Sequence, residues 1–358
     1  MLDFVVCPVC RDGLAIHEMS GDGRDAVLAH DHTDCRERFP AVGGVPRLLV
    51  GAARYRFTRE RTDWFMTSPL ARQFSDWTTL TRESSDLAIV ERFDREWGSF
   101  SRVGATEQGA IFARYFDVVP KELLAEGRLA LDAGCGAGRW AYEVQRHGAR
   151  VIAVDLGQSI EVAERNTRDT GRVACVQADV RDLPTRADAF DLVYSLGVLH
   201  HLQPTEDVVR NLAGGLRPGG ALLLYLYYAL DDRSALYRGL FRAVDAFRSV
   251  SSALPQSILV ALSTAIATLV YFPFARLAKI LHAAGRHHLA DSLPLSFYAN
   301  LSFETMLNDS LDRFGTRLEK RFTREQVGRL LDRSGFVDVV ISPAPPKWHA
   351  IGRIPPAN

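Results

Sequence analysis

The chain has 358 residues, enough for two ordinary domains or one domain with large additions. Apolar residues make up 47% and charged residues 24%, the balance of a soluble globular protein and not of a disordered or fibrous one. Lys plus Arg equals Asp plus Glu at 43 each, so no global field favours nucleic acid or an acidic membrane surface. The start, MLDFVVCPVCRDG, lacks the basic and long apolar regions of a secretory signal. Five cysteines, two of them in a C-x2-C pair, suit a reducing compartment, and the expected location is the cytoplasm.

In chain order, residues 1–52 form a first expected domain. CPVC at Cys7 and Cys10 is followed by HTDC at His32 and Cys35. Two pairs of this spacing read as zinc knuckles, each giving two ligands to one tetrahedral site made by Cys7, Cys10, His32 and Cys35. His30 competes with His32 as the fourth ligand. Four protein ligands leave no open position, so this zinc is structural. FPAVGGVPRLLV then gives a turn-rich β pattern. Residues 53–125 carry aromatic and apolar residues at helical spacing, among them Trp64, Phe74, Trp77, Trp97, Phe100, Phe112 and Phe116.

Residues 126–228 alternate apolar runs with helical stretches: RLALDAG, ARVIAVD, RVACVQAD, FDLVYSL and GALLLYLYY, with LRPGG as a tight turn before the last. That rhythm predicts an α/β fold with a mainly parallel sheet covered on both faces. Residues 229–321 interrupt it as a long, mostly helical insertion. Within it, residues 249–275 contain no charge. The well-apolar part is shorter than a membrane span needs, contains Ser263, Thr264 and Thr268, and meets Pro273. A buried lid or a homodimer helix is the expectation; attachment to a membrane surface comes second and a true span last. The α/β rhythm returns over 322–358, where Thr323 and Gln326 fit a capping box, Gly335 suits the helix end and KWHAIGR offers a last strand.

The chemistry concentrates in LDAGCGAGRW. A dinucleotide loop reads GxGxxG, whereas Gly134, Gly136 and Gly138 give GxGxG, with Arg139 where the last dinucleotide glycine should stand. Glycines let the main chain approach a ligand without Cβ clashes, and amides opening the next helix face it. Asp155 closes the second strand, where a carboxylate can accept both ribose hydroxyls. Asp179 closes the third, and LHHL follows the fourth.

This order of glycine loop, two acids and LHHL resembles the class I S-adenosylmethionine-dependent methyltransferases. The resemblance implies a Rossmann-like seven-stranded core and S-adenosyl-L-methionine as cofactor. It implies Asp132, Gly134, Gly136 and Gly138 around the methionine end, Asp155 at the ribose, Asp179 with Val180 at the adenine, Leu156 on its face, and Ser195 beneath the methionine. Arg139 and Trp140 either line the pocket or are ordinary first-turn residues. FDREWGSF resembles the cap that closes over the cofactor, with Trp97 and Phe100 turned inward; plain packing against the sheet is the other reading of these two residues. The N-terminal segment is similar to the zinc-ribbon module related to small methyltransferase activators, in which cysteine stands where this chain has His32.

Methyl transfer from a sulfonium needs alignment and dryness first, and a base only where the acceptor must lose a proton. His200 and His201 are the candidate bases, with pocket architecture as the competing role. Tyr225, Tyr227 and Tyr228 crowd a strand end nearby. The expected acceptor is a hydroxyl- or carboxyl-bearing small molecule with an apolar or aromatic body, and not a nucleic acid. A non-catalytic adaptor recruiting a partner through the ribbon, or a methyltransferase for a lipid at the membrane surface, is the alternative.

Overall fold

The computed structural model describes residues 2–30, 34–79, 105–229, 254–315 and 320–357, with single positions between 239 and 251. The chain divides into two units: Met1–Tyr228 with Arg321–Asn358, and Ala229–Lys320.

The first unit opens with an antiparallel sheet in the order β1 (Ala15–Met19), β2 (Ala26–Ala29), β3 (Phe39–Val42), β4 (Val45–Pro46). Helices α1 (Ala52–Glu60) and α2 (Thr62–Thr67) and a 3-10 stretch, Pro69–Thr79, pack an aromatic cluster on it. Trp77 meets Phe39, Phe57 and Phe74 edge-on at 6.4, 6.1 and 5.7 Å. The Arg54 guanidinium lies 4.8 Å above the Trp77 ring, and Trp64 donates to Asp25 Oδ2 at 2.7 Å. The first aromatic residues of 53–125 thus fill the underside of the small sheet. Trp97 and Phe100 lie outside the described residues.

Helix α3 (Ala105–Tyr115) leads into a seven-stranded sheet built from β5 (Leu129–Ala133), β6 (Arg150–Asp155), β7 (Val173–Gln177), β8 (Phe190–Leu196), β9 (Leu216–Tyr225), β10 (Val337–Ile341) and β11 (His349–Arg353). The order is β10-β11-β9-β8-β5-β6-β7, parallel except where β11 pairs antiparallel with β9 and β10. The central strands read as unbroken apolar runs because both faces are covered; β5 and β8 are buried throughout. Between strands run α4 (Arg139–Arg146), α5 (Ser159–Thr167) and α6 (Thr205–Gly214). Chain order reverses at β5, which has β6 on one side and β8 on the other, and such a switch point opens a crevice beyond the carboxyl ends of the strands.

One expectation needs correction. LRPGG lies inside β9, not in a turn before it: Phe190 pairs with Leu216 and Leu192 with Ala221, so extra residues bulge out, with Gly219 at φ +77°. That strand ends at Tyr225, short of the expected Tyr228, which makes only an isolated bridge to Phe322.

In the second unit, α7 (Gln256–Ile266), a π turn (Ala267–Tyr271) and α8 (Phe272–Ala283) form a continuous helical rod. Helices α9 (His287–Ser292) and α10 (Phe303–Gly315) follow. The rod is longer than the apolar run read from the sequence: at 27 residues it is long and apolar enough to cross a membrane, and 28% of its most apolar window is buried. Back in the first unit, α11 (Arg324–Arg333) carries the predicted capping box, with Thr323 and Gln326 bonded reciprocally, and Gly335 sits at φ +87°.

Candidate active site and metal centre

The glycine loop caps β5 at the switch point. Gly134, Gly136 and Gly138 all have positive φ, at 85, 52 and 79°. A Cβ on Gly134 would stand 2.5 Å from Val198 Cγ2, and one on Gly138 would stand 2.9 Å from the Ala163 Cβ, so α5 and the end of β8 press on this loop. Asp132 is buried, and its Oδ2 has no hydrogen-bond partner among the described residues. Burial pushes its carboxyl up to about 8, opposed by the neighbouring Tyr194 hydroxyl, with the Asp155 charge adding to the rise. An unpartnered buried carboxylate oxygen beside a glycine loop fits an incoming ammonium.

Asp155 holds the loop's other side. Its Oδ2 accepts from the Gly136 amide at 2.9 Å, and its Oδ1 from the Gly157 amide at 2.8 Å and Ser159 Oγ at 3.2 Å. Burial raises this carboxyl, against the pull of those amides. Leu156 is half-buried, and its carbonyl accepts from Gln177 Nε2 at 3.0 Å. Asp179 is partly spent on its own turn: Oδ1 accepts from the Arg181 amide at 2.8 Å, and Oδ2 pairs with the Arg181 guanidinium at 2.7 Å. Val180 behind it is buried. Ser195 is fully buried, and its hydroxyl donates to the Ala133 carbonyl at 2.7 Å, tying β8 to β5.

Aromatic rings gather along the carboxyl edge. Tyr115 at the end of α3 lies 4.9 Å from Trp140 and 5.0 Å from Tyr225. Tyr227 stands 5.8 Å from Tyr225 and stacks on His200 at 3.8 Å, with His201 4.2 Å beyond His200. His200 is buried, whereas His201 is half-exposed. Trp140 is buried under the Arg139 guanidinium, which lies 4.4 Å above its ring, while Tyr228 turns away to meet Trp348 at 5.3 Å.

Sequence reasoning missed Asp117 and His349. The His349 side chain is fully buried at the head of β11; Nε2 faces Asp117 Oδ1 at 2.5 Å, Nδ1 faces the Pro346 carbonyl at 2.6 Å, and Ser342 Oγ donates to Asp117 Oδ2 at 2.7 Å. Both ring nitrogens face acceptors, so this histidine fastens the β10–β11 hairpin to the turn after α3. The partners are 232 residues apart, and no local pattern could have joined them.

At the other end of the unit, Cys7, Cys10, His30 and Cys35 bring their ligand atoms within 4.8 Å of one another. Cys10 Sγ lies 3.5 Å from His30 Nε2. A tetrahedral zinc with bonds of about 2.0–2.3 Å spaces its ligands about 3.5–3.8 Å apart, so the set fits. Without a metal, burial pushes the Cys7 thiol up to about 11 and raises Cys35 too; a bound zinc would hold them as thiolates. His32 lies outside the described residues; among the described ones, His30 at the end of β2 supplies the fourth group.

The ribbon grips the core on both sides of Asp179. Leu48 N donates to the Gln177 carbonyl at 2.9 Å, Val6 N to Pro184 O at 2.9 Å, and the Arg11 guanidinium pairs with Asp182. Arg47, fully buried, donates to Gln177 Oε1, the Val42 carbonyl and Glu161 Oε1, each at 3.1 Å. Burial lowers even this guanidinium, to about 9.

Strand order, glycine loop and carboxylates together define a class I S-adenosylmethionine-dependent methyltransferase core with an N-terminal four-stranded ribbon. Residues 131–224 match the family model described as a methyltransferase domain. The chain is 39% identical over 102 residues to a tRNA U34 carboxymethyltransferase of Methylococcus capsulatus, covering 27% of this chain and 32% of that protein. It is 32% identical over 162 residues to a ubiquinone biosynthesis O-methyltransferase of Methylocella silvestris, covering 39% of this chain and 62% of that one. The chain therefore spans less than two thirds of the length of these relatives. A magnesium protoporphyrin IX methyltransferase from Synechocystis, solved with bound SAH, aligns over 83% of this chain and 98% of its own at 13% identity and a TM-score of 0.40.

Proposed function

We propose that this chain transfers a methyl group from S-adenosylmethionine to the oxygen of a small molecule with an aromatic or apolar body. The observation that carries the acceptor class is the ring wall of Tyr115, Tyr225 and Tyr227 along the carboxyl edge of the sheet. A planar apolar body gains most from such a wall, since burial removes its surface from water. The cofactor supplies an electrophilic methyl on a sulfonium. Asp132 would take its ammonium, Asp155 its ribose, and Asp179 with Val180 its adenine; the chain's remaining task is to align the acceptor and exclude water. A base role falls to His201, because the His200 ring is buried beneath Tyr227. We further infer one structural zinc on Cys7, Cys10, His30 and Cys35.

Nucleic acid is the second reading, raised by the tRNA-acting relatives. The test is methyl transfer from labelled S-adenosylmethionine to a panel of phenols and catechols and, separately, to unmodified tRNA. Turnover confined to tRNA would overturn the acceptor class. NAD binding with none for the methionine cofactor would overturn the reaction. If His201 is the base, His201→Gln loses most of the turnover while cofactor affinity stays at the parent's value.

A further inference from the structure

We propose that the second unit docks on an anionic membrane surface through the outer face of its apolar rod. The rod runs over Ser257–Ala283, 27 residues, and is long and apolar enough to cross a bilayer, yet only 28% of its most apolar window is buried. What is buried forms one stripe. Leu259, Ser263, Ala267, Tyr271, Ala275 and Ala278 recur at a four- or three-residue spacing, and the π turn keeps the stripe aligned on one side. Partners inside the unit cover it: Ser310 Oγ on α10 donates to the Ser263 carbonyl at 3.1 Å, and Tyr298 lies 5.2 Å from the Tyr271 ring.

The opposite side carries Ile258, Leu269, Val270, Phe274, Leu277 and Ile280, all exposed, Leu269 to 74% and Ile280 to 65%. A helix on the surface of a soluble unit normally turns polar residues outward, so a continuous apolar face of this length calls for a cover. Charge decides which. No Asp or Glu occurs from residue 249 to residue 290. Lys279, Arg286, His287 and His288 stand exposed at the rod's C-terminal end. Asp291, just past that range, pairs with His282 at 3.2 Å and leaves Lys279 and Arg286 as the exposed cations. An apolar face with such a basic flank is the composition that seats a helix at the boundary of acyl chains and anionic headgroups. A second copy of the chain would set its own Lys279 and Arg286 against this face, and the acid at this end, Asp291, is engaged by His282.

The helix lies in the plane of the surface and does not cross it. Its covered stripe is bound to α10, which carries Glu304, Asp309 and Arg313, with Asp309 accepting from Tyr298 Oη at 2.6 Å. A span would drag those groups into hydrocarbon. This docking is independent of the methyl-transfer reading, because every residue it uses lies in the second unit.

The experiment is co-sedimentation of the full chain with vesicles of phosphatidylcholine alone and of phosphatidylcholine mixed with phosphatidylglycerol. The expected result is pelleting with the mixed vesicles and much less with the neutral ones. Leu269→Glu combined with Ile280→Glu should weaken binding by about tenfold or more, with helical content and melting temperature unchanged. Lys279→Glu with Arg286→Glu, at positions where folding is not at stake, should erase the preference for anionic vesicles. Retention in the supernatant with both vesicle types overturns the proposal. So does a detergent-free dimer that Leu269→Glu splits into monomers, which would make the face a homodimer interface.

Discussion

The ribbon and the apolar rod are both additions that a methyltransferase sheet does not require, and they treat their apolar surface in opposite ways. Around the ribbon, Phe39, Phe57, Phe74 and Trp77 close into one cluster, and the buried arginines are held by partners, Arg47 by Gln177, Glu161 and the Val42 carbonyl and Arg54 by the Leu49 carbonyl and Glu37, while Trp64 donates to Asp25. In the rod, one stripe is closed and the opposite one, from Ile258 to Ile280, is left outside. A segment whose large rings close into one cluster, with only scattered residues such as Ile16 and Met19 left outside, belongs to the fold. One whose surface is half answered points to something beyond the chain. The ribbon is therefore part of the first unit, and the rod is read as a place of contact.

The widest separation between the two should come from metal loss. Cys10→Ser, or strong chelation, is expected to remove the zinc and unfold the ribbon. Since the ribbon grips residues 177 and 182–186 around Asp179, cofactor affinity should fall with it. Elemental analysis near one zinc per chain, followed by calorimetry on the variant, checks both parts. A ribbon lost without effect on the cofactor would make it an appendage like the rod.

Arg47→Ala comes next. It leaves Gln177 and the Val42 carbonyl without their donor and opens a void under Phe57, at an expected cost of about 2–4 kcal/mol to the first unit in denaturant unfolding. The rod variant Leu269→Glu, run beside it, should cost the fold under about 0.5 kcal/mol. Equal costs would dissolve the distinction.

Smaller effects sharpen the catalytic side alone. Asp155→Ala should weaken cofactor binding by about 1–3 kcal/mol and leave vesicle binding intact, read by calorimetry and sedimentation on one preparation. The smallest is a pH dependence from Asp132, whose folded carboxyl titrates at about 8, far above the ordinary carboxylate value near 3.9. Between those values the folded state holds a proton the unfolded state has lost, so this group's contribution to stability declines as pH rises through the window. An ammonium placed against Asp132 releases that proton. Cofactor affinity should therefore rise from about pH 6 towards pH 8, by up to about tenfold per pH unit, and fall again where the cofactor's ammonium loses its proton. A flat profile would mean that Asp132 does not meet the ammonium.

Much of the fold was legible because its signals are local. The alternation of apolar runs and helices is written within single βα units, and the glycine loop with Asp132, Asp155 and Asp179 sits at strand ends that those units define. Thr323, Gln326 and Gly335 act within one helical turn of their own backbone, and they appear as read. LRPGG misled because Pro and Gly mark a turn and a bulge alike, and only pairing with Phe190 and Leu192 tells them apart. The uncharged run left its cover open, because composition says that a surface is apolar but not which side a neighbour will cover.

The sequence by itself determined the order of strands and helices, the glycine loop that opens the switch point, and the chemistry of the acids around it. Each of these rests on residues a few positions apart whose conformational limits act before any long-range contact forms. Tertiary structure alone decided that His30 stands with Cys7, Cys10 and Cys35, that Arg47 enters the core, that Asp117 meets His349, and which face of the rod is covered. Those pairings join residues from about 20 to more than 200 positions apart, and strand register and packing choose among partners that a linear pattern leaves equivalent.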